Sequence, residues 1–150
     1  MKQKLTGFTL IELIIVISVI AIIAGISIPF YINLREEAID KNVIGLSSAY
    51  HSAVVTAHAA YQVGKSLPYP MTSDGWPGAS SMNASTCTTL WTELLENAPT
   101  ATTSFSIGSN NYYVFGTGAY CYYLNMQSTS PLRYFIYNSS DGNVTVIGAS

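Results

Sequence analysis

Charge is scarce in this sequence: Asp, Glu, Lys and Arg make up 9% of 150 residues, with a formal net charge of −2. Beyond the first few residues the only cations are Arg35, Lys41, Lys65 and Arg133. Cations so scattered make no phosphate track, so nucleic acid is not expected as a partner. Histidine and cysteine are rarer still, with 2 of each. His51 and His58 would stand about 10 Å apart along a helix axis, too far to share one metal as an i, i+4 pair does. The carboxylates Asp74, Glu93, Glu96 and Asp141 are dispersed, and there is no glycine-rich phosphate loop, nucleophile elbow or zinc spacing. No catalytic residue, metal site or cofactor is therefore expected. Cys87 and Cys121 allow a single pairing, a disulfide, if the C-terminal part lies outside the cytoplasm. Two buried free thiols are the alternative.

Apolar residues, by contrast, reach 49% and crowd toward the N-terminus. Leu13 to Leu34 contains no charged residue, and a helix of about 20 such residues crosses a bilayer. Lys2 and Lys4 precede the run, which keeps the short leader cytoplasmic and directs the remainder outward. An ordinary secretory signal would carry a small-residue cleavage site after its apolar core. Here the run continues into Pro29, Phe30 and Tyr31 instead. An uncleaved anchor fits all of this except Glu12, since an acidic residue near a membrane helix centre costs about 2.5–3.5 kcal/mol and normally has a partner.

The stretch Gly7-Phe8-Thr9-Leu10-Ile11-Glu12 closely resembles the type IV prepilin signature: a short basic leader ending in Gly, then Phe, then Glu at the fifth position. Pro29, at the twenty-second position after Gly7, also matches that family. The resemblance implies that a prepilin peptidase cuts between Gly7 and Phe8 and that the new Phe8 amine is methylated. It implies a cleaved leader (1–7), a transmembrane and filament-core helix half (8–34) and a globular head (35–150). It further implies that the amine pairs with Glu12 of a neighbouring subunit, neutralising two charges that are each costly in lipid. The expected fold is α+β, a long N-terminal α-helix packed against a small antiparallel β-sheet head.

The residues of the head are read independently of that resemblance. From Phe30 to Val63 the apolar positions Ile39, Val43, Leu46, Tyr50, Ala53, Ala57 and Ala60 recur at helical steps, and Gly64 suits the C-terminal cap. A loop from Ser66 to Ser85 follows, punctuated by Pro68, Pro70, Asp74-Gly75 and Pro77-Gly78. Ser85 is placed as the cap of a short helix whose inner face carries Cys87, Leu90, Trp91, Leu94 and Leu95, ended by Pro99. Strands are predicted at Tyr112–Phe115, Tyr120–Leu124, Tyr134–Tyr137 and Val144–Ile147, the last two joined by a turn at Ser140-Asp141-Gly142-Asn143. One member of each pair Tyr112-Tyr113 and Tyr122-Tyr123 should face the core, and the other either packs on the sheet or grips a partner.

Gly75-Trp76-Pro77, the cysteines, Leu90-Trp91 and the last hairpin resemble the mannose-sensitive haemagglutinin branch of pilins. The function implied is a filament subunit for adhesion, assembled from copies of itself by inner-membrane pilus machinery and stored in membrane lipid beforehand. A minor pilin at the tip or in initiation, a type II secretion pseudopilin and a membrane-tethered sugar-binding module are the competing readings. Which surface ligand the filament would meet is not legible.

Overall fold

The computed structural model describes residues 7–109, 111–128 and 130–149. The fold is α+β, as the sequence implies. Helix α1 (Leu10–Gln62) is followed by α2 (Ala84–Leu94) and five strands: β1 (Ala101–Thr102), β2 (Tyr112–Thr117), β3 (Tyr120–Asn125), β4 (Arg133–Asn138) and β5 (Val144–Ile147). The strands lie in one sheet in chain order. Pairing is antiparallel from β2 to β5, and β1 joins β2 in parallel. The chain divides into two compact units after Glu37.

In the second unit α1 ends where the sequence indicates. The Gly64 amide donates to the Tyr61 carbonyl and the Lys65 amide to the Ala60 carbonyl, at 2.9 and 3.0 Å, the paired bonds of a Schellman ending. The buried stripe of this helix is Ile39, Val43, Ser47, Tyr50, Val54 and Ala57. Ser47 and Val54 thus lie deeper than the expected Leu46 and Ala53, which are half-buried. Ser47 tolerates burial because its hydroxyl donates to the Ile44 carbonyl at 2.8 Å.

Strand alternation sends Tyr112, Val114, Cys121, Tyr123, Phe135 and Tyr137 into the core. Tyr113 and Tyr122 face the other side, half-buried, so each tyrosine pair splits as expected. Tyr50 is the hub: its ring lies 5.1–5.6 Å from those of Tyr123, Phe135 and Tyr137, and such pairs add about 0.5–1.5 kcal/mol beyond burial. The Tyr123 hydroxyl donates to the Cys87 carbonyl at 3.1 Å. Tyr50 must then donate to Tyr123, their hydroxyls being 2.9 Å apart. Tyr137 donates to the Pro77 carbonyl at 2.7 Å, so every deeply buried hydroxyl is satisfied.

Cys87 on α2 and Cys121 on β3 form a disulfide with Cα atoms 5.6 Å apart. Gly116 makes room for it. A Cβ there would stand 2.6 Å from the Cys87 sulfur and 2.8 Å from backbone atoms of Asn83, so α2 can lie this close only over a residue without a side chain. Helix α2 starts earlier than expected: its cap is Asn83, whose Oδ1 accepts from the Thr86 amide at 2.9 Å. Asn and Ser cap about equally well, and Asn83 has the extended backbone the position needs. The helix also ends before Pro99, with Leu95 already extended; the Pro99 carbonyl accepts from the Trp91 indole at 2.8 Å instead.

Two contacts in this unit were not foreseen. Asp40 pairs with Arg133, which also donates to Ser128 Oγ at 2.7 Å; burial this deep is tolerated only with such partners. His58 stacks on Trp76 at 3.9 Å and donates from Nδ1 to the Gly75 carbonyl at 2.7 Å. Gly142, in the last hairpin turn at φ +73°, lets that turn close over Trp76, since a Cβ there would lie 2.2 Å from the indole.

Two outcomes follow for the full chain in detergent. Replacing Cys121 by Ser should remove about 3–4 kcal/mol, the chain-entropy value for the closed loop; denaturant unfolding of the head would measure it, and an unchanged midpoint would contradict it. Burial also raises the pKa of Tyr50, Tyr123 and Tyr137, and pushes Tyr112 up to about 12. A raised folded-state pKa means stability is complete below the unfolded value of about 10 and is lost as pH climbs through the folded one. The core tyrosines should therefore ionise only as the head unfolds, near pH 12 or above, as followed by tyrosinate absorbance. Their ionisation near pH 10 would contradict the packing.

Candidate functional site

Among the described residues the N-terminal unit has no buried side chain. From Phe8 to Leu34 every large apolar side chain is exposed, Phe8 at 86%. Helix α1, which carries all of them but Phe8, is long and apolar enough to cross a membrane, with a mean hydropathy of 2.8 over its most apolar stretch. Both serines between Phe8 and Leu34 are turned back on the helix: Ser18 donates to the Ile14 carbonyl and Ser27 to the Ile23 carbonyl, at 2.7 and 2.8 Å. Polar groups in hydrocarbon have to be satisfied in this internal way. Pro29 lies inside α1 and, lacking an N–H, cannot donate to the Gly25 carbonyl.

At the start of the helix, Thr9 and Glu12 form a capping box. The Glu12 carboxylate accepts from the Thr9 amide at 2.8 Å and from its hydroxyl at 2.7 Å, while Thr9 Oγ1 accepts from the Glu12 amide at 3.3 Å. One carboxylate oxygen is thereby held within the chain, on the first turn, where the helix dipole favours negative charge. The T-x-x-E spacing of such a box is legible in the sequence at Thr9 and Glu12.

Gly7 lies outside regular secondary structure and is exposed, and a Cβ added there would meet nothing within 4 Å. The fold itself therefore gives no reason for glycine at this position. Of the expected leader, 1–7, only Gly7 is among the described residues; Lys2 and Lys4 lie outside them. Elsewhere His51 is exposed and His58 is occupied by Trp76 and Gly75. Asp74, Glu93, Glu96 and Asp141 are all exposed. Among the described residues no three His, Cys, Asp or Glu side chains gather as metal ligands would.

A bare apolar helix long enough to cross a membrane precedes a disulfide-closed α+β head. Residues 3–28 match the model of the prokaryotic N-terminal methylation motif. Over 55 residues, 37% of this chain, the sequence is 40% identical to the type IV narrow pilus major component PilA5 of Thermus thermophilus. The chain spans about half the length of that relative, 47%. No solved structure matches the chain significantly. The chain thus carries the prokaryotic N-terminal methylation motif and is similar, over part of its length, to a type IV pilus component.

Replacing Thr9 by Ala should cost about 1 kcal/mol at the helix start, the usual value of a lost cap. Amide hydrogen exchange in micelles should then quicken at Leu10–Glu12 and stay unchanged beyond. Equal protection in both proteins would show that the box contributes nothing.

Proposed function

We propose that this chain is a structural subunit of a type IV pilus, not an enzyme, polymerising through its N-terminal helix into a surface filament used for attachment. The observation that carries this reading is a carboxylate, Glu12, on the first turn of an otherwise bare apolar helix directly after Gly7. Leaving each large apolar side chain in water costs about 1.5–3 kcal/mol. The segment therefore needs lipid in the stored subunit and neighbouring helices after assembly.

Cutting between Gly7 and Phe8 would release an amine beside Glu12, and methylation would leave it cationic. A prepilin peptidase that accepts only a small residue before the cut accounts for a glycine the fold does not require. In the stored subunit Glu12 is held by Thr9; in the filament the Phe8 amine of a neighbour replaces or joins that bond. The attraction strengthens as water is excluded, and it sets the axial register. Pro29 frees one carbonyl in mid-segment and loosens the helix there for packing among copies. The head would remain outside the inner membrane throughout, in an environment that suits the Cys87–Cys121 bond. Membrane-embedded assembly machinery would extract the subunit. The Gly75-Trp76-Pro77 loop, which resembles the mannose-sensitive haemagglutinin branch, supports attachment as the use of the filament.

Replacing Glu12 by Ala should leave processing intact and abolish or sharply lower the yield of filaments sheared from cells. Intact mass of the native subunit should show loss of residues 1–7, one added methyl and two hydrogens fewer than the reduced chain. Normal filament yield from the variant would remove the pairing mechanism. A processed chain that is scarce in filaments would point to a minor pilin or pseudopilin.

A further inference from the structure

The face of the sheet turned away from α1 is uncharged and mostly aromatic. Register places Phe115, Tyr122, Ile136 and Thr145 in one cross-strand row, with Tyr113 and Tyr134 in the next. Tyr120 stands at the end of β3, 44% exposed. Along β2 to β5 no outward position carries Asp, Glu, Lys or Arg; Arg133, the strands' sole charged residue, points inward to Asp40. Solvated sheet faces normally alternate to polar residues, so an aromatic one in a chain this rich in Ser and Thr asks for an occupant.

Two features decide what kind. Phe115 and Tyr122 stack on each other, centroids 4.5 Å apart and planes 3° from parallel. Each ring spends a face on the other, so the pair presents edges and a hydroxyl outward, not the open ring face on which a sugar stacks. An uncharged patch is also compatible with itself: two copies can meet without burying a lone charge or opposing like charges. Four strands about 4.8 Å apart and six residues about 3.4 Å apart give a patch on the order of 400 Å². That is about half the area per partner of a standard stable interface, the size of a weak contact, which gains strength only when repeated along a polymer.

We propose that this face is a homotypic contact surface, on which the outer sheet of one copy meets the outer sheet of another, joining filaments side by side. The repetition it relies on comes from the filament reading above, while the contact itself is testable in any state of the protein. The probe is a photoreactive benzoylphenylalanine in place of Tyr122, in cells making the full chain. Irradiation should give a dimer of this chain whose joined peptide maps to β2–β4 of the second copy. Adding Phe115→Lys, which sets like charges face to face, should lower that adduct at least about tenfold, whereas Phe115→Thr should lower it less. Both variants should keep the disulfide, since position 115 lies outside the core. No adduct, an adduct elsewhere on the chain, or capture of another protein or a polysaccharide overturns the proposal. The outer-face dimer without any filaments would sink the assembly reading alone, and filaments without the dimer would sink this contact alone.

Discussion

One helix here has to satisfy two solvents, and the arrangement of the chain follows from that constraint. Up to Leu34 its side chains are apolar on every side, so no single protein face could cover them and only lipid or a ring of similar helices will. From Ile39 onward only one stripe is buried, and a single sheet suffices to cover it. The boundary between the two units falls where the sequence switches from all-round apolarity to a stripe. The serines and the carboxylate of the first stretch are answered locally: serines by the preceding turn, Glu12 by Thr9.

In the head the same helix is held by aromatic residues more than by aliphatic ones. Tyr50 bonds into the sheet through Tyr123, and Tyr123 bonds into α2 through Cys87, so three elements share one chain of hydroxyls beside the disulfide. A tyrosine suits this place because its ring packs as a hydrophobe while its tip needs a partner, which fixes the relative position of helix and sheet. The bare Gly116 and Gly142 bring α2 and the last turn close enough for this packing.

Local physics made most of this legible. Periodicity identified α1, the short helix and four strands, and turn chemistry located the last hairpin within Asn138–Val144. Six residues, Gly7 to Glu12, carried the resemblance to the prepilin signature. Sequence failed where a partner lies far along the chain. Nothing near Asp40 announces Arg133, and nothing near His58 announces Trp76. Strand β1 was invisible because two residues show no alternation; it exists only because β2 offers an edge. The helix cap was misplaced by two residues because Asn83 and Ser85 are chemically equivalent candidates, and only the tertiary position of α2 chooses between them.

The strand order has a kinetic meaning. From β2 to β5 each strand pairs with the one made just before it, so the meander closes through short loops and needs no crossover threaded past finished structure. Contacts so local form quickly. The head can thus build its sheet outward, strand by strand, and dock it on the Tyr50 stripe as a finished piece.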